Sequence, residues 1–262
     1  MTASPLTFRH QEVQRLRRLL RRRTARAAER TFVAEGVKVV SEALFAGVPV
    51  ESAFVAPGVP DGLVDALLAA GARVHALAPG VMERVADTVT PQPVAAVVPY
   101  LDAPIDALAG ARMVVVCVDV RDPGNAGTVL RTAEAAGVDG VVCCQGSVDV
   151  YNPKTVRASA GSLFHVPVVT AGDPADVLDR LGAWGLRRVG SVARDGSDYD
   201  RLDLRLPTAF VLGNEASGLD APVLARCDER VTIPMAGRSE SLNVGMAAAV
   251  LCFEAARQRR LS

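Results

Sequence analysis

The sequence predicts an α/β protein built as two successive domains. Short apolar runs alternate with amphipathic or Ala-rich segments along most of the chain. Glycine or proline stands at many of the junctions between them. The apolar run at residues 113–118 is uninterrupted, as expected of a strand in a parallel sheet covered on both faces. Half of the 262 residues are apolar, enough for a sizeable core, and the formal net charge is zero. Composition alone therefore gives no bulk attraction to nucleic acid.

The first domain is expected over residues 1–105. Residues 9–30 place Val13, Leu16, Leu19 and Leu20 at helical spacing on a segment that carries nine arginines against Glu12 and Glu29. A solvated amphipathic helix and a contact to RNA phosphates both fit that pattern. Only Lys38 and Lys154 are lysines, so the arginine bias runs through the whole chain and says little about phosphate recognition. An apolar triplet at 32–34 precedes a helix at 35–45, ended by Gly47. A strand at 50–56, a helix at 63–70 stopped by Gly71, a strand at 74–77, a short helix at 81–86 and a strand at 94–99 follow. His75 reads as a strand-surface or core histidine, not a site residue. Residues 101–110 read as a linker.

The second domain is expected over residues 106–262. It opens with the strand at 113–118, a loop at 119–124, and a helix at 128–136 ended by Gly137. Asn125 is expected in the loop before that helix and Arg131 on its first turns. Six residues apart, the two do not share a helical face, yet both can face the sheet's carboxyl end. A strand at 140–144 follows, then a helix opened by Asn152-Pro153 with Lys154, Arg157 and Ser159. A strand at 166–170, a helix at 175–181 and a strand at 186–193 come next. This alternation predicts a Rossmann-like parallel sheet. No GxGxxG follows any strand, which disfavours a standard dinucleotide site.

The last third concentrates the candidate chemistry. The run Phe210-Val211-Leu212 stops at Gly213, which puts Asn214 and Glu215 on an exposed tip. A strand at 231–233 is ended by Pro234. Ser239, Glu240, Ser241, Leu242 and Asn243 then fill a loop ahead of the Ala-rich helix at 244–253. Ligands of open α/β sheets sit in such places, beyond the carboxyl ends of the strands. Taken singly, these residues are ordinary turn and cap chemistry. The end of the chain, 258–261, is basic.

The five cysteines form no CxxC and no Cys/His cluster with zinc spacing, so no metal is expected. Cys117, Cys143 and Cys144 lie in apolar runs and read as small buried hydrophobes. The N-terminus is polar and Arg-rich, unlike a secretory leader, and no apolar run has the length of a membrane span. A reduced cytoplasm fits these features.

The ordered set DPGNxGxxxRTAxxxG from Asp122, GNExxG from Gly213 and IPMxGxxxSLNVxxAxxV from Ile233 resembles the three motifs of the SpoU (TrmH-like) branch of the SPOUT RNA methyltransferases. The resemblance covers roughly residues 112–258. FVAEGxxxVxEAL from Phe32 resembles, more weakly, the ribosomal-L30e-like substrate-binding domain that precedes many such enzymes. The resemblance implies a Rossmann-like sheet with a C-terminal trefoil knot, a cofactor S-adenosyl-L-methionine, and a homodimer. It implies methylation of a ribose 2′-hydroxyl in structured RNA, rRNA before tRNA and not DNA. Gly213, Ile233 and Leu242 match positions whose backbone holds the adenosine. Asn125, Arg131, Glu215, Ser241 and Asn243 match the family's polar catalytic set. The resemblance makes Arg131 a contact to the target nucleotide and the proton acceptor; its chemistry favours instead orienting the ribose and stabilising charge developing on its oxygen, with the proton's destination open. A guanidinium stays charged in proteins and is a poor proton acceptor. A non-catalytic RNA-binding module on the same fold is the alternative, and the intact polar set argues against it.

Overall fold

The computed structural model describes residues 4–86 and 90–261. The chain divides into two compact units, Met1–Leu101 with Tyr151–Phe164, and Asp102–Val150 with His165–Ser262.

The first unit opens with α1 (Gln11–Arg21) and α2 (Arg23–Glu29). The periodicity suggests one helix here, but Arg22 is extended and breaks it. Val13, Leu16, Leu19 and Leu20 are buried, as their spacing predicts. Next come β1 (Thr31–Glu35), α3 (Val37–Phe45), β2 (Ser52–Val55), α4 (Asp61–Ala69), β3 (Arg73–Ala76), α5 (Val81–Val85) and β4 (Val94–Pro99). Glu35 is thus a strand residue, and Gly36 at φ 104 makes the turn into α3. The four strands form a mixed sheet ordered β1-β4-β2-β3, with β2 and β3 parallel and β4 antiparallel to both its neighbours. His75 packs against Phe54 with the rings tilted and their centroids 5.2 Å apart, in keeping with a structural role.

The second unit starts with a short 3₁₀ turn, Ile105–Leu108, inside the stretch read as a linker. β5 (Met113–Cys117), α6 (Pro123–Ala136) and β6 (Gly140–Cys143) follow. The chain then passes to the first unit for 151–164, which contains α7 (Pro153–Ala158). Tyr151 is buried against Phe32, ring centroids 4.8 Å apart, and stacks on Tyr100 at 4.0 Å. Arg157 Nη1 meets Glu35 Oε2 at 2.9 Å, with the Glu35 side chain only 2% exposed. Back in the second unit are β7 (Val168–Thr170), α8 (Pro174–Ala183), β8 (Arg187–Ser191), β9 (Ser197–Asp198), β10 (Thr208–Leu212), α9 (Ala221–Leu224), β11 (Glu229–Thr232) and α10 (Val244–Arg260). All seven strands run parallel, in the order β7-β6-β5-β10-β8-β11-β9. Their carboxyl ends therefore open along one edge. The core beneath includes Val114, Val116, Val142, Val169, Leu178, Leu181, Ala209 and Val211.

Two features of this unit differ from the sequence reading. α6 begins at Pro123, not at 128. Asp122 Oδ1 accepts from the Asn125 amide at 2.8 Å and caps the helix, while Pro123 supplies a first turn that needs no N–H. Asn125 is accordingly a helical residue and not a loop residue. α10 runs to Arg260, so the basic end of the chain forms its last turn, where cations suit the helix dipole. Among the described residues no helix is long and apolar enough to cross a membrane.

Candidate active site

The residues that follow β10, β8 and β11 converge with the N-termini of α6 and α10 on one cavity of about 440 Å³. That volume lies within the range of small-molecule sites, roughly 300–1,000 Å³. Its walls include Asn125, Gly213, Glu215, Ile233, Ser241, Leu242 and Asn243, seven of the eight positions that the resemblance singles out, Arg131 being the eighth.

Gly213 is forced by its surroundings. A Cβ there would lie 2.4 Å from the carbonyl carbon of Gly218, a backbone atom that cannot swing aside. The loop closes on itself through Asn214 N–H to Gly218 O at 3.1 Å and Gly218 N–H to Asn214 O at 2.9 Å. Asn214 Oδ1 also accepts from the amides of Ala216 and Ser217, and its Nδ2 donates to Asp119 O at 3.0 Å and Oδ2 at 3.1 Å. Asp119 takes a left-handed φ of 56°, a conformation Asp tolerates better than most residues.

Glu215 joins that loop to α6. Its Oε1 accepts from Asn125 Nδ2 at 2.9 Å and from the Asp122 amide at 3.1 Å, and its Oε2 from the Arg121 amide at 3.3 Å. Burial alone would raise the Glu215 pKa, but these hydrogen bonds outweigh it and hold the carboxyl below its usual value. Asn125 passes the chain onward, its Oδ1 accepting from Asn243 Nδ2 at 2.6 Å. Asn243 caps α10 through Oδ1 to the Gly245 amide at 2.8 Å. Gly245 has no room for a side chain, since a Cβ would sit 2.8 Å from Thr128 of α6. One hydrogen-bonded line, Glu215–Asn125–Asn243, thus spans segments far apart in sequence.

Ser241 and Leu242 lie on the outer wall, Leu242 with 37% of its surface exposed. Arg131 is not on the cavity. It lies two turns along α6 from Asn125, its side chain is exposed, and it makes no hydrogen bond or ion pair with the described residues. The sequence reading let both residues face the sheet's carboxyl end; with Asn125 inside α6, six residues of helix instead turn Arg131 to another face. Three contributors escaped the sequence reading. Ser191, Val192 and Ala193 line the wall after β8, and Arg194 beside them pairs with Glu240 at 3.1 Å. Nothing in their composition marks them; only the strand order brings them there.

Away from the cavity, the cysteines behave as core residues. Cys117, Cys143, Cys144 and Cys252 are buried and unpaired, and burial pushes the Cys144 and Cys252 thiols up to about 12.

Residues 112–253 match the family model described as the SpoU rRNA Methylase family, and residues 10–96 match the MRM3-like substrate binding domain. The chain is 38% identical over 228 residues to the 23S rRNA (guanosine(2553)-2'-O)-methyltransferase RlmP of Bacillus subtilis, covering 87% of this chain and 89% of that protein. The SpoU methyltransferase AviRb of Streptomyces viridochromogenes, solved in complex with AdoMet, superposes with a TM-score of 0.86 at 32% identity, covering 96% of this chain and 99% of that one. An AdoMet-bound rRNA methyltransferase from Sinorhizobium meliloti gives a TM-score of 0.84 at 30% identity, with 95% of each chain covered. By its motifs, its fold and this family match, the chain belongs to the SpoU rRNA methylase family.

Proposed function

We propose that this chain methylates a ribose 2′-hydroxyl in structured RNA, rRNA in preference to tRNA, with S-adenosylmethionine as donor. The observation that carries this reading is the Glu215–Asn125–Asn243 line at the mouth of the cavity. The cavity's donor set suits that cofactor. Main-chain groups at Gly213, Ile233 and Leu242 would hold the adenosine, with Leu242, Ile233 and Met235 as apolar cover. When bound, the cofactor supplies an electrophilic methyl on a sulfonium. Asn125, Ser241 and Asn243 shape the pocket by neutral hydrogen bonds. Glu215 fixes the loops that carry them, and its accepting positions toward Asn125 and two backbone amides are already engaged.

Arg131 orients the target nucleotide and stabilises charge on the attacking oxygen. Its exposed place on α6 suits a group that engages only when RNA or a second copy of the chain arrives. Such a copy would dock on α10, where Met246 and Phe253, one helical stripe, are 56% and 45% exposed. The trefoil knot expected of this fold and a cytoplasmic location belong to the same reading. RNA affinity comes chiefly from the first unit, through the exposed Arg18, Arg21, Arg22 and Arg23 of α1 and α2 and the turn between them. Mapping 2′-O-methylation on cellular RNA with and without the chain tests the reading. A missing rRNA methyl group upon deletion supports it, and an unchanged map defeats it.

A further inference from the structure

The cavity has a charge asymmetry that its motifs do not explain. Two carboxylates line it, Glu215 and Glu240, and no Lys, Arg or His does. Glu240 meets Arg194 at 3.1 Å with the two side chains 83% and 71% exposed, so water weakens that pair and equally leaves Glu240 the lesser of the two charges. Every group bonded to Glu215 is neutral: two backbone amides and the Asn125 amide. Arg121, whose backbone amide meets Glu215, turns its guanidinium to Asp119, Nε to Oδ1 at 2.8 Å. Asp122 is committed to capping α6. The positive end of the α6 dipole favours an anion at Glu215 without supplying a full counter-charge.

We infer that Glu215, assisted by Glu240, makes the cavity select a cationic methyl donor over the neutral thioether left after transfer. The inference rests on the cofactor reading above. In the transfer, the sulfonium sulfur keeps the bonding electron pair as its methyl bond breaks. The ribose oxygen gains the methyl and releases its proton to bulk water. The ligand thereby loses one positive charge, while the carboxylates keep theirs. Opposite charges attract and a neutral group does not, so the product is held less tightly than the donor by these two residues. Such a site favours exchange of spent for fresh cofactor.

Calorimetric titration of the full chain with S-adenosylmethionine and with S-adenosylhomocysteine reads this without turnover. Glu215→Gln should weaken donor binding about fivefold relative to product binding, the scale of one partly screened charge contact. Glu240→Gln should shift the ratio in the same direction by a smaller factor, since that carboxylate is exposed and paired with Arg194. That variant leaves the Glu215 bracing intact and so carries the test if Glu215→Gln fails to fold. In the wild-type chain, raising salt from low to high should lower donor affinity relative to product. Equal losses for both ligands in the variants would assign the carboxylates a merely structural role and overturn the inference, as would a ratio indifferent to salt. A wild-type chain that binds neither ligand would instead overturn the cofactor reading itself.

Discussion

Asn243 donates to Asn125 at 2.6 Å across 118 residues of sequence, tying the cap of α10 to the first turn of α6. Asn125→Ala would leave the Asn243 amide without its acceptor and take one donor from Glu215. Losing a half-buried hydrogen-bonded partner costs about 1–3 kcal/mol. Urea melts should show that loss, and calorimetry should show weaker cofactor binding.

Arg131→Ala separates catalysis from stability. The side chain is exposed and unbonded among the described residues, so the unfolding free energy should change by no more than about 0.5 kcal/mol. Single-turnover methyl transfer should slow by roughly 10²–10³-fold, the scale of a lost oxyanion donor. Arg131→Lys should rescue only in part, because an ammonium lacks the planar fork. A folded variant that methylates near the wild-type rate removes Arg131 from the mechanism.

The basic helices are less uniform than their sequence. Arg15 is bonded to Glu29 and Glu51, Arg26 is buried on the carbonyls of Leu19 and Leu20, and Arg17 lies over the Phe8 ring. Replacing Arg18, Arg21, Arg22 and Arg23 with Gln should flatten the salt dependence of RNA binding by up to about 0.7–0.9 per lost phosphate contact. Replacing Arg17 should leave that slope alone. Filter binding across a salt series distinguishes the two sets.

The Glu51 cluster makes the first unit sensitive to acid. Hydrogen bonding from Arg15 holds the Glu51 carboxyl below its ordinary value, against a smaller opposing effect of burial. A depressed carboxylate contributes its full stability above the ordinary value, about 4.3, and loses it as pH falls through the lower folded value. Between about pH 5 and pH 3, the wild-type chain should therefore lose more stability than Glu51→Gln. Parallel denaturant melts would show it.

If the α10 stripe is a two-fold contact, Phe253→Glu places like charges against each other at the interface. Sedimentation should find the wild-type chain dimeric at micromolar concentration and the variant monomeric. A wild-type monomer would refute the proposed assembly.

Where tertiary context only reinforces local pattern, the sequence was readable. The buried runs Val114–Val116 and Phe210–Leu212 announce central strands, and the Gly137 stop of α6 falls where it is expected. β9 and α9 were missed because two and four residues carry no period. α6 starts five positions before the expected 128, because Asp122 caps it and Pro123 opens it ahead of the glycines, and this makes Asn125 helical. The motifs supplied most of the cavity residues. The wall after β8 depends on strand order, which no local reading contains, and the phase of Asn125 against Arg131 depends on where α6 starts.

The segment around Tyr151 and Arg157 bears on how such a protein can be taken apart. The polypeptide passes between its two units three times, after Leu101, after Val150 and after Phe164. A single cut near residue 101 would strip Tyr151 of Phe32 and Tyr100, and Arg157 of Glu35, while leaving both residues behind. Grafting experiments that treat the amino-terminal third as an interchangeable cassette would carry the same defect. A workable exchange must move residues 151–164 together with it, as one discontinuous piece.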